Sequence, residues 1–158
     1  MKIEGTLLET VAQAVHSEYL REQLADGAAL GDSPGLAPWD ALDEDLRMAN
    51  RAQALAMREK LESIGCGIAE GPDEPPFAFT EAELDRLARV EHDRWCQQRT
   101  DAGWTYGPVQ DHARRTHPSL VAWAQLSEVE RDKDRDAVRN IPAALRVAGL
   151  RVVREPAS

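Results

Sequence analysis

The chain has 158 residues, 42% hydrophobic and 30% charged, with a formal net charge of −9. That length suits a globular core built without disulfide or metal staples, and the acidic balance argues against DNA or RNA as partner, since phosphate neutralisation needs a basic surface. No stretch approaches the roughly 20 apolar residues that cross a bilayer, the first residues do not read as a signal peptide, and two isolated cysteines, Cys66 and Cys96, make no disulfide framework, so a cytoplasmic protein without a membrane partner is expected.

The first predicted element is an amphipathic helix over residues 4–25, stopped by Gly27 where a left-handed residue closes a helix. A loop leads to Pro34, Leu36 and Trp39, read as a short helical turn, and then to a second long helix over residues 43–63 that Gly65 ends. Ile68 and Ala69 form a short extended run. Residues 71–79 are rich in Pro, Gly and acid and read as a linker, although Phe77 and Phe79 suggest that it packs down. Thr80 and Glu83 form a capping box at the head of a helix over residues 80–101, and Gly103 stops it. Pro118, Leu120 and Trp123 repeat the helical turn, and a charged helix over residues 127–148 follows. Pro142 should bend or split it, because its ring removes a hydrogen bond and clashes with the preceding turn. Gly149 leads into a last extended run, residues 150–153.

That order of elements occurs twice, and an internal repeat decides the fold class. At an offset of 76, Leu8 falls on Leu84, Val11 on Leu87, His16 on His92, Tyr19 on Trp95 and Gly27 on Gly103. After the loop the offset becomes 84, and Trp39 falls on Trp123, Leu42 on Leu126, Arg51 on Arg135, Leu61 on Leu145 and Gly65 on Gly149. The expected fold is mainly α, a tandem pseudo-twofold repeat of two-helix units with short β-strands at the repeat ends. The expected division is a degenerate repeat over residues 1–70, the linker over 71–79 and a full repeat over 80–158, both packed as one compact domain.

The second copy carries the distinctive chemistry: Glu91-His92-Asp93-Arg94-Trp95 on its first helix, then Gly103-Trp104-Thr105-Tyr106-Gly107, His117-Pro118 and Trp123. In these residues the chain resembles the RyR domain, the repeat domain of ryanodine receptors and of many bacterial proteins. The resemblance spans residues 80–153 and is weaker over 3–68, which lack the Trp-x-Tyr-Gly run. It implies no catalytic activity and no cofactor. It implies a structural or regulatory role, with sensor modules among bacterial members, some of them attached to nucleotide-handling domains.

The residues themselves are compatible with a small ligand. Trp104 and Tyr106 lie in a Gly-flanked loop where aromatic faces can stack on a planar ring. Arg94, Arg114 and Arg115 can fork onto a phosphate or carboxylate, and His92 and His117 can donate to the same anion. Trp95, Trp104 and Trp123 can equally be core anchors. Glu91 falls on an apolar helix face where the first copy has Val15. A carboxylate there needs a partner: either Arg135 or Arg139 as a strut between helices, or a ligand amine or ribose hydroxyl. Asp134 is placed on the inward side of the second helix in the same way.

His92, Cys96, His112 and His117 lack the paired spacing of a zinc site. Cys96 lies within a helix and no Gly-rich elbow presents a nucleophile, so no enzyme is expected. Ser33 and Ser119 are candidate phosphorylation sites by analogy with the receptors. The expected function is a non-enzymatic sensor binding a nucleotide or ADP-ribose-type signal. The alternative is a protein interaction or assembly module, with a homo-oligomer or a separate effector as partner.

Overall fold

Caps and breakers in the sequence set the helix ends in the computed structural model, which describes residues 3–155. The helices are α1 (Gly5–Ala25), α2 (Glu44–Glu62), α3 (Glu81–Asp101), α4 (Glu128–Arg139) and α5 (Ile141–Val147). Single 3₁₀ turns at Trp39–Ala41 and Trp123–Gln125 precede α2 and α4. The strands are β1 (Cys66–Glu70), β2 (Thr105–Tyr106), β3 (Thr116–His117) and β4 (Leu150–Arg154). The fold is mainly helical, as the sequence implies. Thr80 caps α3 through a complete capping box, its hydroxyl accepting from the Glu83 amide while the Glu83 carboxylate accepts from the Thr80 amide. Gly27 and Gly103 adopt φ of 100° and 89°, the left-handed turns that close α1 and α3. Pro142 splits the last long helix: α4 ends at Arg139 and α5 restarts with the proline in its first turn, where a missing amide costs nothing.

The chain forms two compact units. The first takes residues 3–78 and 140–155 of the described chain, and the second is Phe79–Arg139. In the first unit α1 packs against α2 and α5 around Val11, Met57, Leu61, Ile141 and Leu145, all essentially inaccessible to water. Beside them β1 and β4 form an antiparallel ribbon with Cys66 opposite Arg154 and Glu70 opposite Leu150. The short helix that Pro142 cuts free, and the strand after it, therefore belong to the first unit. The linker does pack down. The buried Asp73 carboxylate accepts from the Phe77 amide at 3.0 Å and from Arg146 at 3.1 Å, and the Arg154 guanidinium lies 4.9 Å from the centre of the Phe77 ring.

In the second unit α3 packs on α4, burying Leu87, Ala88, Leu126 and Val138. The parallel pair β2–β3 sets Thr105 beside Thr116 and Tyr106 beside His117.

The repeat is visible in individual interactions. His16 Nε2 lies 2.6 Å from the Ala37 carbonyl, and His92 Nε2 lies 2.7 Å from that of Val121. Arg47 donates to the Trp39 and Asp40 carbonyls as Arg131 does to those of Trp123 and Ala124. Arg51 bridges Glu9 and Glu44, and Arg135 bridges Asp85 and Glu128. Arg47 and Arg51 lie over Trp39 as Arg131 and Arg135 lie over Trp123. The same skeleton of buried histidine, tryptophan and paired arginines holds both copies together, so none of these groups needs a ligand to explain it.

Candidate functional site

Subtracting the shared skeleton leaves a polar cluster that only the second copy has. It begins at Glu91, 3% exposed on α3, where the first copy has Val15. Arg94, one turn further along, meets it with two parallel bonds, Nη2 at 2.6 Å and Nε at 3.1 Å. The expected strut to Arg135 or Arg139 is not formed. Arg135 is taken by Asp85, Glu128 and Asp132, and Arg139 by Asp136. A guanidinium three residues away on the same helix already lies in bidentate register, and no second helix has to supply it. Arg94 Nη1 is left buried with no hydrogen-bond partner, and so is Gln98 Oε1 one turn later on the same face.

His92 sits between two acceptors. A carbonyl oxygen only accepts, so Nε2 carries a proton toward Val121, while Nδ1 faces Asp134 Oδ2 at 3.3 Å. Burial works against the imidazolium, but the bonds to Asp134 and Val121 and the charges of Asp134 and Asp93 outweigh it and raise the His92 pKa. Burial raises Asp134 as well; His92 opposes the shift, and the nearby charges of Glu91 and Glu130 add to it. The pair therefore holds a proton between an imidazole and a carboxylate. Cys96 Sγ lies 3.4 Å from His92 Nε2, which completes the outline of a Cys-His-Asp triad without its chemistry. The Nε2 proton is directed at a carbonyl, and burial, with the charges of Asp134 and Asp93, pushes the thiol up and away from thiolate.

A ladder of rings continues from there. The rings of His92 and Trp95 stack at 5.9 Å, and His117 meets Trp95 edge-on at 4.9 Å. The Arg99 guanidinium lies 5.9 Å from Trp95 and 5.1 Å from Trp104, and His112 meets Trp104 edge-on at 5.1 Å. His117 Nδ1 accepts from the Ser119 amide. Burial lowers the His117 pKa, and Arg99, Lys133 and His112 add to this against Glu130, so the ring stays neutral. The helix motif, the aromatic loop and the following His-Pro and Trp thus fall on one continuous wall of the second unit. Residues 79–154 match the RyR domain. The second repeat of the chain is an RyR domain.

Within the RyR domain, the residues singled out from sequence separate into two groups. Glu91, His92, Arg94, Trp95, Trp104 and His117 are joined by the bonds and ring contacts above. Trp104 is only 6% exposed, so it anchors the loop and offers no face for stacking, whereas Tyr106 is 60% exposed. Arg114 points into solvent and Arg115 turns back to donate to the Ala102 carbonyl, capping the end of α3. Ser119, a candidate for phosphorylation, is buried with its hydroxyl donating to Glu130 at 2.8 Å. Gln98, Arg99 and His112 are part of the wall but were not marked as binding residues in the sequence. The signal for the first two was their i+4 spacing from Arg94 and Trp95. Among the described residues no group of three or more His, Cys, Asp or Glu side chains is placed to hold a metal ion, and no helix is long and apolar enough to cross a membrane.

The histidine–aspartate pair gives a first testable outcome. Asp134→Asn installs the residue that the first copy carries at Asn50. With its folded pKa raised, His92 contributes stability that is fully present below the ordinary histidine range and lost as pH rises through the raised value; Asp134, also raised, acts in the same direction. The substitution should cost roughly 1.5–3 kcal/mol near pH 6 and less near pH 8. The lowered pKa of His117 works the opposite way but is common to both proteins. Urea denaturation at the two pH values measures the difference; equal costs at both would rule out proton sharing.

Proposed function

We propose that the RyR domain of this chain is a non-enzymatic sensor that binds a small planar polar ligand of the nucleotide or ADP-ribose type. One observation carries the proposal. The first copy folds on the same skeleton without a buried carboxylate, arginine and amide, so the fold does not require them in the second. Buried polar atoms that lack partners destabilise by about 1–3 kcal/mol each, and here a donor, Arg94 Nη1, and an acceptor, Gln98 Oε1, sit one turn apart in that state. A ligand edge with an acceptor beside a donor, such as a heteroaromatic ring or a ribose, satisfies both. Glu91 holds the rest of the Arg94 guanidinium in register by its two bonds. Both atoms are closed to solvent, so binding requires the side chains to part first.

Thermal shift on the full chain with mononucleotides, cyclic nucleotides and ADP-ribose tests the reading. At about 100 times Kd a ligand adds about 2.7 kcal/mol to the folded state, enough to raise Tm by several degrees. Gln98→Leu should abolish the shift. It should also leave the unliganded protein as stable or slightly more stable, since it removes a buried acceptor that nothing satisfies. No shift with any of these compounds would sink the nucleotide reading.

A further inference from the structure

The segment from Gly103 to Pro118, which holds β2, β3 and the loop between them, is eight residues longer than its counterpart from Gly27 to Pro34, where the alignment offset grows from 76 to 84. The extra residues are tied down internally. Asp111 and Thr116 exchange backbone bonds of 3.0 and 3.1 Å, and the Thr116 hydroxyl donates to the Val109 carbonyl at 2.9 Å. The Asp111 carboxylate accepts from the amides of Ala113 and Arg114. Gly107 packs so closely on Thr116 that an added Cβ would lie 2.6 Å from its side chain. On this rigid base Tyr106 and Val109 stand 60% and 68% exposed, and the Arg114 side chain is 84% exposed, its nearest carboxylate, Asp111, 3.9 Å away. Two arginines against one aspartate make this loop locally positive on a chain of net charge −9. An exposed tyrosine, an aliphatic side chain and an arginine held in fixed positions have the composition of a binding epitope, and the fixed backbone removes the ordering cost of binding.

The complementary surface lies on the same unit. Val129 on α4 is 69% exposed, and Asp132 and Asp136 follow it at i+3 and i+7 on one helix face. Each carboxylate is bonded to an arginine three residues on, yet both side chains remain about half exposed. The first copy has Asp45 at the position of Val129 and a short loop at the position of the long one, so the shared fold requires neither feature. We propose that the β2–β3 loop of one chain docks on the α4 face of a second copy. Tyr106 and Val109 would pack against Val129, and Arg114 would reach Asp136. Formed reciprocally, the loop of each chain on α4 of the other, the two contacts close a two-fold dimer and limit assembly to two copies.

Sedimentation equilibrium of the full chain at physiological ionic strength tests this. From about 10 μM to about 1 mM, the apparent mass should rise from the monomer value of 17.5 kDa toward twice that. Arg114→Glu and Asp136→Arg should each stay monomeric over the same range, because each places two like-charged contacts in its homodimer. An equimolar mixture of the two variants should associate again, since every contact in the mixed dimer then pairs opposite charges. Both substitutions are at exposed side chains, and far-UV circular dichroism verifies that the variants fold. A wild type that stays monomeric, single variants that associate as well as the wild type, or a mixture that stays monomeric would each overturn the proposal.

Discussion

Glu91→Val, which gives the second repeat the residue found at Val15 of the first, should cost about 3–5 kcal/mol of unfolding free energy. The substitution looks conservative from the alignment of the two copies, since valine is accommodated on the same helix face of the same fold. The cost arises from Arg94, four-fifths buried, which donates two of its bonds to Glu91 and has a third nitrogen already without a partner. Removing the carboxylate leaves a guanidinium in a place where its charge is expensive and water does not reach Nη1. The double substitution Glu91→Val with Arg94→Leu removes the charge along with its partner and should recover most of the loss, because an apolar pair of similar volume commonly matches a buried ion pair. The two singles and the double, measured by urea denaturation, give a coupling energy of several kcal/mol if the pair acts as a unit. A double variant no more stable than Glu91→Val would show that Arg94 is held by something other than Glu91. Because the double variant also removes Arg94 Nη1, it should fold well and, on the proposed function, show no thermal shift with nucleotides, which separates a stability defect from a recognition defect.

How far the sequence reveals this depends on the range of each interaction. Helix ends were legible because their causes are local: the Thr80–Glu83 box, Gly27, Gly103 and Pro142 each act within one turn. The duplication was legible because Arg51 and Arg135 stand twelve residues after Trp39 and Trp123, while His16 and His92 stand eleven residues before Gly27 and Gly103. Partner choice was not. Arg94, Arg135 and Arg139 all fall within plausible reach of Glu91, and what decides among them is that Asp85 and Glu128 already claim Arg135. The inward placement of Asp134 followed from helical phase, but its meeting with His92 depends on how α3 lies on α4. The last strand offered no local hint of its destination either. It pairs with β1, some eighty residues earlier in the chain, and nothing within one turn of either strand specifies that partner.

Trp104→Ala is the other large effect expected, again about 3–5 kcal/mol, and the neighbouring Tyr106→Ala should stay within about 0.5 kcal/mol of wild type. From sequence the two aromatics look equivalent, two residues apart in one Gly-flanked loop. The left-handed turn at Gly103 makes the difference. It brings the Trp104 amide to the Arg99 carbonyl at 2.9 Å and swings the indole inward, against the Arg99 guanidinium on one side and the His112 ring edge-on. Truncation would leave a cavity the size of an indole and release the root of the long loop. A lost thermal shift in Trp104→Ala would therefore report unfolding as readily as lost recognition. Trp104→Phe keeps an aromatic face against Arg99 and His112 at a smaller cost, and is the variant in which a change in ligand affinity can be read. Denaturation midpoints for Trp104→Ala, Trp104→Phe and Tyr106→Ala should fall in that order, lowest first. If Tyr106→Ala proved as damaging as Trp104→Ala, the loop would be held by its exposed face, and the anchoring role assigned to Trp104 would be wrong.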